Sequence, residues 1–179
     1  MAVVDRNAAG VEIQRYEGAD RTRRLAIVTF ENAECEVLEN SNLETAGRVR
    51  DVGLVLVAAD AFGGARKLVD MSVEYAKSRE QFGVTIGHFQ GLKHQLADMA
   101  IEIDGARLLI WEAAAAMDRG EPAGRLARLA QDQMMRIALR VGDGAVQVFG
   151  GHGYIRDYLP ELHLRNLAGL SSFETLALL

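Results

Sequence analysis

Three stretches of this 179-residue chain carry residues able to bind or transform a ligand. The first runs Tyr75-Ala76-Lys77-Ser78-Arg79-Glu80-Gln81-Phe82-Gly83 and continues through Ile86-Gly87-His88-Phe89-Gln90. An arginine guanidinium can grip a diphosphate in a bidentate fork, with Gln90 at hand for a hydrogen bond. The plainer account is that Lys77 and Arg79 complement the negative end of a helix dipole. The second stretch is Gln147-Val148-Phe149-Gly150-Gly151-His152-Gly153-Tyr154. A glycine there ends a helix, but three glycines in four positions exceed what a cap requires. They also let a ligand approach the backbone closely while Gln147 hydrogen-bonds it. His152 follows two of these glycines and is placed to touch such a ligand, although loop histidines are mostly just solvated. The third stretch, Arg165 to Thr175, contains Glu174 between Phe173 and the run Leu176-Ala177-Leu178-Leu179. An apolar setting lifts a carboxyl toward the range of a general base, whereas a glutamate near a chain end is ordinarily exposed and inert.

Other chemistries lack their residues. His88, His94, His152 and His163 show no metal-ligand spacing, so no metal site is expected. Cys35, flanked by Glu34 and Glu36, reads as incidental rather than nucleophilic. Ser171-Ser172 has neither a Ser-x-x-Lys nor an elbow context, so nothing points to a hydrolase.

The elements that must hold these stretches fall into two regions. From about residue 42 to 179 the pattern is helical. A first helix is expected from Glu44 to Phe82, its apolar positions being Val52, Leu56, Ala59, Gly63, Val69 and Val73. After a loop at residues 83–87, further helices are expected over Phe89–Asp118, Gly124–Phe149 and Leu159–Leu167, with Pro122 and Pro160 at boundaries. Long helices with short connections favour antiparallel neighbours. Their apolar surface exceeds what one compact bundle needs, which points to association between subunits. Residues 1–41 read instead as strands, with alternation in Val11-Glu12-Ile13-Gln14 and more loosely in Leu25 to Phe30. So few strands cannot bury both faces, and Ala2-Val3-Val4 follows Met1 with no lead-in, so the segment is expected to be the closing part of a larger sheet. The expected fold is mainly α: an antiparallel four-helix bundle preceded by a small partial β segment.

Composition narrows the function. Apolar residues make up 49% and charged residues 25%, with a formal charge of −5 and the two signs interspersed. No basic stripe exists to follow a phosphate backbone, so nucleic acid is not an expected partner. No apolar run reaches the roughly 18 residues a membrane helix needs. A single cysteine excludes an intrachain disulfide and fits a reducing compartment. The N-terminus lacks a signal-peptide design, and the expectation is a cytoplasmic protein.

Taken in order, Tyr-Ala-Lys-Ser-Arg-Glu-Gln-Phe-Gly, Ile-Gly-His-Phe-Gln, Leu96-Ala97-Asp98-Met99, Ala106-Arg107-Leu108-Leu109 and Gln-Val-Phe-Gly-Gly-His-Gly-Tyr resemble the acyl-CoA dehydrogenase family. The resemblance implies that residues 1–41 correspond to the closing strands of the family's middle β-domain and residues 42–179 to its C-terminal helical bundle. It implies α,β-dehydrogenation of an acyl-CoA to its trans-2-enoyl form with FAD, in a dimer or tetramer or with a partner chain supplying an N-terminal half. Electron-transfer flavoprotein is the implied acceptor. Arg79 and Gln90 would contact FAD from a neighbouring subunit, and Gln147, Val148, Phe149, Gly150 and Gly151 would line the same cofactor from its other side. Glu174, nine residues after Arg165, would be the catalytic base. Gly53, where some relatives place theirs, cannot serve. Asp51 matches an aspartate used toward the CoA moiety, while Leu54 stands where an arginine partner is usual. The family's N-terminal helical domain and the first part of its β-domain have no counterpart here, so the chain is expected to be incomplete as an enzyme by itself. The alternatives are a non-catalytic assembly subunit holding the FAD tail and a helical interaction module.

Overall fold

The structure, a computed structural model, describes residues 1–170 and Phe173. Ala2–Val3 (β1) pairs antiparallel with Glu36–Val37 (β4), enclosing a hairpin of Val11–Tyr16 (β2) and Leu25–Phe30 (β3). In the hairpin Val11 lies opposite Phe30 and Ile13 opposite Val28, which gathers an apolar set on one face. Residues on both faces nevertheless remain largely exposed, because two strands have no second layer to bury against.

The turn between β2 and β3 is fastened to the helical region. Asp20, itself buried, accepts hydrogen bonds from the Thr22 backbone, the Thr22 hydroxyl and Arg23 at 2.8, 2.6 and 2.7 Å. Arg23 also pairs with Asp60 and donates to the Asn166 carbonyl, while Asn166 donates to the Thr22 hydroxyl at 2.7 Å. Burial pushes the Asp20 carboxyl up, but these hydrogen bonds outweigh it and hold it below its ordinary value.

Four helices follow: Leu43–Ser78 (α1), Gln90–Asp118 (α2), Gly124–Phe149 (α3) and Pro160–Leu170 (α4). α1 starts where the Asn42 side chain accepts the Thr45 N–H at 2.9 Å, satisfying a donor the first turn would leave orphaned. Asp51 beside Gly124 and Tyr75 against Phe149 show that α1 and α3 run in the same direction. α2 runs the opposite way, since Met99 meets Gly144 and Glu102 pairs with Arg140. The core is built from Leu54, Leu68, Ile103, Met134, Val141 and Leu167 with a lining of alanines from α1, α2 and α3.

Two expectations about α1 need correction. The helix ends at Ser78 rather than Phe82, because Arg79 turns to extended backbone (ψ 123°) and Glu80–Gln81 (β5) folds back on Val84–Thr85 (β6). Phe82 (φ 56°) and Gly83 (φ 79°) form the tight turn between them, a left-handed conformation no helix can contain. The buried stripe is also different. Val52, Leu56, Ala59 and Gly63 face outward, and Leu54, Val55, Ala58, Ala61, Ala65 and Leu68 face the core; only Val69 and the half-buried Val73 belong to the expected set. Both faces of α1 carry large and small apolar residues, so tertiary packing against α3 rather than side-chain type selects which one is buried. α2 begins one residue later than expected and α4 extends three residues further, to Leu170. Among the described residues no helix is long and apolar enough to cross a membrane, and no cluster of His, Cys, Asp or Glu could hold a metal ion.

Candidate functional site

At the C-terminal ends of α1 and α3 the chain encloses a cavity of about 320 Å³ lined by residues that include Arg79, Ile86, Phe149, Gly150, Gly151 and His152. Arg79 is held there by its backbone. Its N–H donates to the Tyr75 carbonyl and its carbonyl accepts from Ile86, both at 2.8 Å, so the chain reverses around it. Its guanidinium has no carboxylate partner among the described residues, and the side chain is exposed. A cation left unpaired at the mouth of a cavity is available for an anionic group.

The opposite wall is the corner that closes α3. Gly150 takes φ +58°, which accounts for its being glycine. Gly153 is packed tightly, since an added Cβ would stand 2.5 Å from the Val146 carbonyl oxygen. Gly151 has neither reason: no heavy atom lies within 4 Å of where its Cβ would be, and its φ is not in the left-handed region. Its openness toward the cavity leaves room for something outside the chain to touch the backbone.

Aromatic rings fix this corner to α1. Tyr75 stacks on Phe149 with centroids 4.1 Å apart, and its hydroxyl lies 2.7 Å from His152 Nδ1. Tyr158 stacks on His152 at 4.8 Å and meets Phe149 edge-on. His152 is therefore half-buried and engaged rather than simply solvated. Sequence reasoning missed the roles of Tyr75 and Tyr158, which lie far apart in the chain and meet His152 only through tertiary packing.

Most of the remaining expected residues lie apart from this cavity. Val148 lines it, but Gln147 and Gln90 do not; both are exposed, Gln147 in the last turn of α3 and Gln90 at the start of α2. The Arg79 side and the glycine corner, expected to meet the cofactor from two subunits, stand on one cavity within a single chain. Asp51 is roughly 40 Å further down α1 at 1.5 Å per residue. It is paired with Arg50 at 2.7 Å and lines a separate cavity of about 450 Å³ with Glu44, Arg48, Val52, Met117 and Glu121. Glu174 lies outside the described residues.

Comparison with known proteins follows the same outline. Residues 49–174 match the family model of the acyl-CoA dehydrogenase C-terminal domain. An acyl-CoA dehydrogenase of Bacillus subtilis is 33% identical over 171 residues, covering 92% of this chain and 45% of that protein. A subunit of the caffeyl-CoA reductase–Etf complex of Acetobacterium woodii is 35% identical over 135 residues, covering 75% of this chain and 36% of the relative. The butyryl-CoA dehydrogenase structure from Megasphaera elsdenii superposes with a TM-score of 0.86 at 29% identity, over 96% of this chain and 46% of the other. The chain thus spans between about a third and a half of the length of these relatives.

Proposed function

Because the chain belongs to the acyl-CoA dehydrogenase family, matching its C-terminal domain, we propose that it forms the bundle and the diphosphate-gripping wall of an FAD-dependent enzyme converting an acyl-CoA to its trans-2-enoyl thioester. The observation that carries this is the meeting of Arg79, unpaired among the described residues, with Gly150 and Gly151 on one cavity, where no side chain covers the Gly151 backbone. The donor set fits a diphosphate: a forked cation and a backbone free of side chains. Arg79 and residues Val148 to Gly151 would hold that group, while Gln90 and Gln147, exposed outside this cavity, would meet other parts of FAD. FAD bound there supplies the two-electron acceptor for the β-hydride. Glu174 takes the α-proton onto its carboxylate, a step that requires a dry pocket since water competes for the same proton. Asp51 orients the CoA moiety. A second copy, or a partner chain carrying an N-terminal half, closes the site against the exposed apolar faces of β2–β3 and α1. Electron-transfer flavoprotein fits as the acceptor, since one relative is a subunit of a reductase–Etf complex.

FAD titration of the full chain, read by flavin fluorescence, tests the cavity. Saturable binding weakened roughly tenfold or more by Arg79→Ala is expected for loss of one charge-assisted contact, and no binding by the wild-type chain would remove the reading. Turnover is then assayed with an acyl-CoA and an artificial electron acceptor, with and without a chain supplying an N-terminal half. Glu174→Gln should lower it by about 10²–10⁴ with flavin still bound. Unchanged turnover would move the base elsewhere. FAD binding with no turnover in any combination would favour a non-catalytic assembly subunit.

A further inference from the structure

We propose that His152 is a further ligand contact in this cavity, a hydrogen-bond donor to the anionic diphosphate whose donating nitrogen is selected by Tyr75. The inference rests on the reading of the cavity as a diphosphate site. A neutral imidazole has one N–H and one lone-pair nitrogen, and its neighbours decide which is which. Here the Tyr75 hydroxyl sits 2.7 Å from Nδ1. If the hydroxyl donates to Nδ1, both atoms are satisfied and the ring proton resides on Nε2. In the opposite tautomer Nδ1–H would donate to the phenol oxygen, and the phenol proton would have no protein acceptor among the described residues.

The ring cannot easily swing away to change this. Tyr158 stacks on it with planes 8° apart, and Tyr75 meets it edge-on at 6.1 Å. Tyr75 is itself held flat against Phe149, the residue before the glycine corner. His152 lines the same cavity as Arg79 and Gly151, and Nδ1 is committed to Tyr75, so Nε2–H is its free donor. Arg79 brings charge from one wall, Gly151 leaves the backbone open, and His152 adds a directional donor from the corner. Tyr75, which also lines the cavity, is a positioning residue through its hydroxyl, which sets the tautomer.

The test uses ADP, which carries the diphosphate without the flavin. Side-chain ¹⁵N NMR of the full chain should show His152 protonated at Nε2 and bare at Nδ1, with the Nε2 signal shifting as ADP is added. By calorimetry, His152→Leu should weaken ADP roughly tenfold, and His152→Gln, whose amide replaces the donor, should recover most of that loss. Tyr75→Phe keeps the ring stack and should shift the tautomer balance toward Nδ1–H while weakening ADP several-fold. Circular dichroism confirms that each variant is folded, and the NMR experiment needs no variant. An Nδ1–H tautomer in the wild-type chain, or no ADP-dependent shift, overturns the proposal. If Arg79→Ala abolishes ADP binding but His152→Leu leaves it unchanged, the proposal falls and the cofactor reading stands. If the wild-type chain does not bind ADP at all, both fall.

Discussion

The β2–β3 hairpin and the α1–α3 pair each join two long elements side by side, yet they differ in what that pairing can bury. The six residue pairs of the hairpin satisfy backbone donors and acceptors, but Ile13, Val28 and Phe30 remain 42%, 45% and 57% exposed. α1 against α3 hides Leu54, Leu68, Met134 and Val141 completely. Burial of apolar surface at about 25 cal/mol per Å² makes the bundle a source of stability and the hairpin a dependent of it. A backbone ladder in water contributes little by itself, because each bond replaces one to solvent. The hairpin is fastened to the helices by the Asp20–Arg23–Asp60–Asn166 cluster.

The largest break in this comparison should come from the core. Leu68→Ala removes a fully buried side chain and should cost about 2–5 kcal/mol in denaturant unfolding, whereas Ile13→Ala in the hairpin should cost less than about 0.5 kcal/mol. Comparable losses would mean that the hairpin face is buried after all. Next in size is the fastening. Arg23→Ala leaves the Asp20 carboxylate buried with one partner fewer and should cost about 1–3 kcal/mol locally. Amide hydrogen exchange should then quicken in β2 and β3 while α1 and α3 keep their protection. Uniform acceleration would show that the two regions unfold as one.

Smaller effects follow from pH. The folded-state value of Asp20 is depressed, so its contribution is complete above its ordinary value of 3.8 and disappears as pH falls through the lower folded value. Asp20→Asn should flatten the hairpin's acid sensitivity in that window. His163 is lowered below its ordinary 6.5 by burial and then by Lys67. The fold therefore favours its neutral form, and stability should decline as pH drops from about 6.5 toward the folded value. Thermal melts of His163→Gln against wild type at pH 7 and pH 5 measure this, and an unchanged difference between the two pH values would remove His163 as the cause.

The four helices were legible because helix period and boundary residues act over short distances: Pro122 and Pro160 mark ends that the structure keeps. The inward face of α1 was not legible. Val52 and Leu56 are as apolar as Leu54 and Val55, and only the approach of α3 decides which of the two faces is buried. The hairpin turn at Phe82 was hidden for a related reason, since a phenylalanine at positive φ carries no turn signal. At the site, Arg79 and the glycine corner stood out by residue type, whereas the Tyr75–His152–Tyr158 stack exists only where three elements converge.

The shared direction of α1 and α3 brings two helix C-termini to one cavity. Each such end carries roughly half a unit of negative charge from aligned peptide dipoles. The scaffold by itself would thus repel a phosphate and welcome a cation. The single positive charge of Arg79 roughly cancels the two ends together, so the guest is admitted by side chains set against the grain of the helices that present them.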